Sequence, residues 1–466
     1  MTGTSDGSAE RIGTSLRIYV VGTGIVRAFG LIRSIGFARL LGPDEFGLFI
    51  LCYGLVAVLE PFATIGLSAS LLRFSSSPRE ARAMLKSGLA ASVGITAALL
   101  LASPYLGELL RIGNRFVLVL SIASLVPYGF YHLLYCSYQG LRSFLKAVFV
   151  QLTYVCVFTL GGMLALWLVS STAAAAIVSH MAGCALAALF VIPLLSRGDS
   201  VQRPSFAIKT ALIYGAFTVA LDMGFEAYRY VDRYVINWYL DSARVGTFSA
   251  AYTLSTIPLM LGSVVNEVLL PHLSRIFDDG DSKRAQAYVN MFAKAMLIAG
   301  ILTIGAAAIV REPIIRLLYG EEYAGASTVF PILTAYHVVF ATYNTIFLYF
   351  FLLKKPQMGM ITTAFGLATS LVLNILFIPR WGIAGAAWAT FASGCLIFVL
   401  ALVLAVLFGF SPDVRLLVCF ACVPLVSLRF GAYIFIPLAL LLWFLPAGMR
   451  ASERGEIARI IRGGGL

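Results

Sequence analysis

The sequence predicts an all-α polytopic membrane protein of about 14 transmembrane helices: two pseudo-symmetric six-helix lobes followed by two further helices. Three observations lead there. Hydrophobic residues make up 60% of the 466 and charged residues 12%, with a mean hydropathy of +0.91, whereas a soluble domain carries about 25% charged residues. Apolar stretches of the roughly 20 residues needed to cross a bilayer recur along nearly the whole chain. The chain also matches itself at an offset near 200 residues.

Apolar windows separated by polar breaks place spans near 16–40, 46–72, 87–110, 116–140, 147–170 and 172–195, and, after the polar stretch SRGDSVQRPS, near 208–239, 246–274, 289–311, 326–353, 357–379 and 382–409. Two shorter helices are expected at 414–429 and 431–448. The organisation is therefore an N-terminal lobe (1–195), a cytoplasmic linker (196–207), a C-terminal lobe (208–409), two additional helices (410–449) and a basic tail (450–466). The tail, RASERGEIARIIR, fits either a short interfacial helix or a solvated basic segment. The first apolar stretch contains Arg27 and Arg33, which is not the h-region of a cleavable signal peptide.

Lysine and arginine set the orientation, because cytoplasmic loops hold their excess. With the N-terminus inside, inner loops and tails collect 22 of these residues and outer loops 8. The net charge of +12 then lies mostly on the side that faces anionic headgroups. Membrane lipids account for it without nucleic acid.

The repeat has two segments. LLGPDEFGLF links spans one and two, YLDSARVGTF links spans seven and eight, and together they pair Leu41 with Leu240, Gly47 with Gly246 and Phe49 with Phe248. Further on, STAAAAIVSHMAGC aligns with GIAGAAWATFASGC, pairing Gly183 with Gly394 and Cys184 with Cys395. An even number of spans per copy gives both copies the same orientation in the bilayer. Pro61 and Pro258 fall in the second span of each copy, Pro127 and Pro331 in the fourth. Each is expected to kink its helix by removing a backbone donor.

Charge inside a membrane is expensive and marks cavities or paired partners. Span seven carries Asp222, Glu226, Arg229, Asp232, Arg233 and Asn237. At about 100° per residue all but Asp232 share one face. The spacings of Asp222 to Glu226 and Glu226 to Arg229 allow a self-neutralising ladder. The same stripe fits the lining of a water-filled path that offers guanidinium groups to phosphate. Span one adds Arg27 and Arg33, well apart around the helix. Glu60 and Glu267 are buried carboxylates of spans two and eight, expected either to pair with a cation or to titrate as coupling sites.

Enzyme signatures are absent from the sequence. It has no GxxxxGK[ST] phosphate loop. His132, His180, His272 and His337 are scattered, and Cys419 and Cys422 form a CxxC with no second ligand pair. No catalytic residue, metal or cofactor is expected.

LLGPDEFGLF with the following GLSASLLRF, then LLYGEEYAGAS, then IPRWGIAGAAWAT, resemble in this order the polysaccharide (Wzx-type) flippases of the superfamily that also contains multidrug and toxin exporters and the lipid II flippase. The resemblance implies alternating access of two lobes around a cationic cavity. It further implies translocation of an undecaprenyl-diphosphate-linked glycan to the outer leaflet for O-antigen, capsule or exopolysaccharide, with a polysaccharide polymerase and co-polymerase as partners. Arg27, Arg33, Arg229 and Arg233, with Asn237, are the residues available to bind the substrate. Glu60, Asp222, Glu226, Asp232 and Glu267 are left for coupling or charge pairing. The other reading of the same architecture is a cation-coupled multidrug exporter.

The loop charges predict both termini in the cytoplasm of a cell-membrane protein. A reporter fused to the C-terminus should be active only as a cytoplasmic enzyme; an extracytoplasmic signal would invert every loop.

Overall fold

A computed structural model describes residues 6–75, 77–195, 208–427, 434–445 and 448–461. These residues contain no strand and divide into two compact units, Met1–Gly246 and Thr247–Leu466. The expected linker 196–207 and the last five residues of the basic tail lie outside the described residues.

The first unit contains α1 (Asp6–Ala63), α2 (Leu67–Phe74), α3 (Pro78–Leu101), α4 (Ser103–Leu109), α5 (Arg115–Ala123), α6 (Leu125–Gly140), α7 (Phe144–Cys156), α8 (Gly162–Leu168), α9 (Ala173–Ala188), α10 (Ile192–Leu195), α11 (Ile208–Tyr239) and the start of α12 (Ser242–Ser255). The second continues with α13 (Ile257–Asp278), α14 (Ser282–Tyr319), α15 (Ala326–Leu352), α16 (Met358–Leu407), α17 (Val414–Ser427), α18 (Phe435–Phe444) and α19 (Ala451–Ile461). Nine helices of the described residues are long and apolar enough to cross a bilayer. Gly42 and Gly382 divide α1 and α16 into two spans each. With α11 and the shorter apolar helices Val414–Pro424 and Phe435–Phe444, these make the 14 segments expected.

The repeated motifs are the turns between spans. Gly42 takes φ 74° and Gly382 φ 58°, left-handed values that cost a residue with a Cβ but not glycine. Pro43 then starts the next helix, where its missing N–H is no loss. Glu45, one turn on, accepts the backbone N–H of Ala173 at 2.6 Å and so ties this turn to the first turn of α9. The prolines act unequally. Helices break just ahead of Pro127 and Pro258, at Ser124 and Thr256, whereas α15 runs through Pro331 uninterrupted. Pro61 lies in the last turn of α1.

Glycine also sets how closely helices approach. A Cβ on Gly47 would lie 1.8 Å from the Ser242 carbonyl oxygen, and one on Gly246 would lie 2.0 Å from that of Pro43. The repeat-related glycines therefore face each other where α1 meets α12. Gly183 and Gly394 each admit a tyrosine from a neighbouring helix, Tyr154 and Tyr336. Within the first unit α11 packs along α1 and α2: Ser70 Oγ donates to the Ala211 carbonyl at 2.7 Å, and the Tyr234 hydroxyl to that of Leu51 at 3.0 Å.

In the second unit, α15 is buried on almost every face, and its buried threonines Thr334, Thr342 and Thr345 donate to carbonyls one turn back on the same helix. Lys294 lies inside α14 with no exposure. It is held by Asp413 at 2.8 Å and by Glu453 of α19 at 2.7 Å. Burial pushes the Asp413 carboxyl up, but hydrogen bonds from Lys294 and the Arg415 amide outweigh it and hold the group below its usual range. The C-terminal segment is thus a helix docked on the protein and not a solvated tail.

Gly47→Val should destabilise the fold by at least about 1–3 kcal/mol through overpacking against backbone, read as a lower melting temperature in detergent. Gly94→Ala, with nothing within 4 Å of the new methyl group, should be neutral or slightly stabilising.

Candidate functional site

The first unit encloses a cavity of about 570 Å³ lined by Arg33, Glu60, His132, Asp222, Glu226 and Arg229, among others. Its construction begins where α1 ends. α1 ends at Ala63; Thr64 and Gly66 close the turn onto the Glu60 and Pro61 carbonyls, and the chain passes through Ile65 and Gly66 with φ 52° and 61°. A Cβ on Gly66 would lie 2.1 Å from the Gly215 carbonyl oxygen, so this glycine lets the turn rest on α11. The reversal returns Ser68 over Glu60, to which its hydroxyl donates at 3.3 Å.

Glu60 is buried and its main partner is His132, with Nδ1 2.9 Å from Oε1. The Thr64 hydroxyl reaches the same oxygen at 3.4 Å. The His132 ring stacks on Tyr128, 10° from parallel. Sequence reading missed His132 because its partner is 72 residues away. The available signal was a titratable side chain inside an apolar span, the argument applied to Glu60 itself.

On α11 the Arg229 guanidinium grips Glu226 through both carboxylate oxygens, at 2.8 and 3.1 Å, the three-residue spacing read from the sequence. Arg229 keeps nearly half of its side chain exposed. Arg33 lies 4.3 Å from the Phe158 ring centroid, a cation–π contact, and Phe158 belongs to a π-helical turn, Val157–Gly161, which bulges the helix there.

The expected polar face of α11 divides. Arg233 is buried and turned into the protein, donating to Asp232 at 2.7 Å and to the Arg229 carbonyl at 2.6 Å. Asn237 donates to the carbonyls of Leu110 and Arg111, both at 3.0 Å, and so caps the chain leaving α4. Arg27 and Asp232 are not among the lining residues, and Glu267 belongs to the second unit. The cavity therefore gathers Arg33, Glu60, Asp222, Glu226 and Arg229 of the residues singled out from the sequence, and adds His132, Tyr53, Tyr128 and Tyr230.

The lining is mixed in charge. Two arginines face three carboxylates, and formal charge balances when His132 carries a proton. Such a site offers guanidinium and hydroxyl donors to an anion or a sugar, and carboxylates that must stay paired in low dielectric.

The fold is that of polytopic α-helical transporters. The inward closed form of the lipid II flippase MurJ superposes with a TM-score of 0.71 at 18% identity, covering 96% of both chains. An inward-facing multidrug resistance transporter of the MATE family gives 0.65 at 13% identity, covering 81% of this chain and 97% of that one. The chain belongs to the family of polysaccharide biosynthesis proteins, whose pattern matches residues 37–328. It is similar to the "Probable low-salt glycan biosynthesis flippase Agl15" of Haloferax volcanii, 23% identical over 372 residues that cover 76% of this chain and 75% of the relative. "Probable flippase AglR" of the same organism is 24% identical over 180 residues, covering 38% of this chain and 37% of the relative.

Cysteine placed at Asp222 or Arg229, in a background without native cysteines, should react with a membrane-impermeant thiol reagent in purified protein. Cysteine at Arg233 should be protected. Equal reaction at Arg229 and Arg233 would mean that α11 is turned otherwise.

Proposed function

We propose that this protein is a flippase that passes a lipid-linked oligosaccharide from the cytoplasmic to the outer leaflet of the cell membrane for surface-polysaccharide assembly. The observation that carries the reading is a charged, aromatic-lined cavity enclosed by membrane-length helices in a chain of the polysaccharide biosynthesis family. Hydrocarbon excludes a diphosphate and its sugars, so a carrier must supply polar partners along the way. Arg33 and Arg229 bind the diphosphate as bidentate donors, while Tyr53, Tyr128 and Tyr230 present rings and hydroxyls to the glycan. The flippase names of the archaeal relatives support the class of substrate. The protein acts without chemistry of its own, both termini are cytoplasmic, and a polymerase and co-polymerase take up the product.

Glu60, Asp222 and Glu226 balance the arginines between substrates. They are also the observation favouring a second reading, a cation-coupled multidrug exporter, since carboxylates and aromatic rings suit organic cations.

In proteoliposomes containing a fluorescent polyprenyl-diphosphate oligosaccharide, Arg229→Gln and Arg33→Gln should slow translocation at least ten-fold, and the lysine variants less. Protein recovered per vesicle should be unchanged. Wild-type rates in both glutamine variants would remove the arginines from the mechanism. Export of an organic cation without lipid translocation would favour the second reading.

A further inference from the structure

The second unit has its own cavity, of different character. A cleft of about 330 Å³ runs between α13, α14 and α15, with Leu261, Met296, Gly300 and Val338 among its walls. Thr303 is the one polar side chain of the lining, and its hydroxyl is already bonded to the Ala299 carbonyl at 2.9 Å. No side chain there is available to address a polar ligand.

The cleft is closed on one side by α19. Glu453 binds the buried Lys294, Tyr288 donates to Glu456 at 2.9 Å, and Arg454 donates to the Trp443 and Phe444 carbonyls at 2.7 and 2.9 Å. Glu453, Glu456, Ile457 and Ile460 follow at three- and four-residue spacings and share a face. The polar anchors thus press Ile457 and Ile460 into the cleft wall. A helix whose only task was to cover an apolar surface would fill this space, yet the cleft stays open beneath it.

We propose that this cleft holds one acyl chain of a membrane phospholipid, with α19 as its fourth wall. An apolar cavity of about 150 Å³ already accommodates a benzene ring, so this one has room for much of an acyl chain. All three wall helices are of membrane-spanning length or belong to a span of that length. The mouth is continuous with apolar surface on α13, where Leu261 is 63% and Val268 54% exposed. The hydrocarbon within reach of an apolar cleft between membrane-spanning helices is that of the bilayer. Ala295 and Ala299, one turn apart on α14, leave an unobstructed floor that fits an unbranched chain.

The test uses the full chain in nanodiscs containing phosphatidylglycerol with a photoactivatable diazirine in its acyl chain. Crosslinked peptides are mapped by mass spectrometry. Wild-type protein should be labelled on α14 around Ala299 and on α19 around Ile457. Ala299→Phe, which fills the cleft from an exposed position, should cut that labelling at least three-fold. Leu302→Phe, on the outer face, should leave it unchanged. Equal labelling in wild type and Ala299→Phe would reduce the contact to lipid collecting around the protein and overturn the proposal. So would labelling by a diazirine polyprenyl phosphate without labelling by phosphatidylglycerol. Native mass spectrometry of detergent-washed wild type gives an outcome independent of the variant's folding: one retained phospholipid per chain supports the site, and none overturns it.

Discussion

A charge moved into hydrocarbon without a partner costs at least about 2.5–3.5 kcal/mol, and four pairings of ionisable groups in the spans follow from that. Glu60 is met by His132, Glu226 by Arg229, Asp232 by Arg233, and Lys294 by Asp413 and Glu453. The partners are of two kinds, near and remote in sequence. Adjacent or one-turn pairs neutralise themselves on their own helix, whereas Glu60 with His132 and Lys294 with Glu453 join helices that are remote in the chain. The second kind holds tertiary structure together, because separating the helices strands a charge.

Backbone obeys the same constraint. An N–H or C=O exposed to lipid has no water to bond, so the helices run long and are interrupted at few places, each locally repaired. The turn after Glu60 returns its amides to the Glu60, Phe62 and Pro61 carbonyls. Gly66 lets that turn lie against the backbone of α11. The break both ends a helix and places Ser68 above a buried carboxylate, so the feature that solves a backbone problem also builds one wall of the cavity.

The cavity's mixture of charge bears on how a transporter of this family works. A uniformly cationic pocket would hold an anion well and release it poorly. Carboxylates lie beside the arginines, and in the Glu226–Arg229 pair the arginine stays half-exposed. Arg233 has no comparable freedom, being enclosed with Asp232 and the Arg229 carbonyl.

The sequence by itself determined the span content, the turns and the charged helix. Apolar length and the glycine and proline of LLGPDEF and IPRWGIAG are local properties, and a three-residue spacing already fixes Glu226 beside Arg229. It also marked Glu60 as a buried charge in need of a partner. Tertiary structure alone decided which partner, because His132 reaches it from 72 residues away across a helix contact. It also decided which part of the α11 stripe faces the cavity. Helical periodicity gives the angle between Arg229 and Arg233 but not the neighbours on either side: the chain after α4 covers Asn237, Asp232 encloses Arg233, and space is left only beside Arg229. The C-terminal basic segment was open between two readings for the same reason, since its docking depends on Lys294, which lies 159 residues from Glu453.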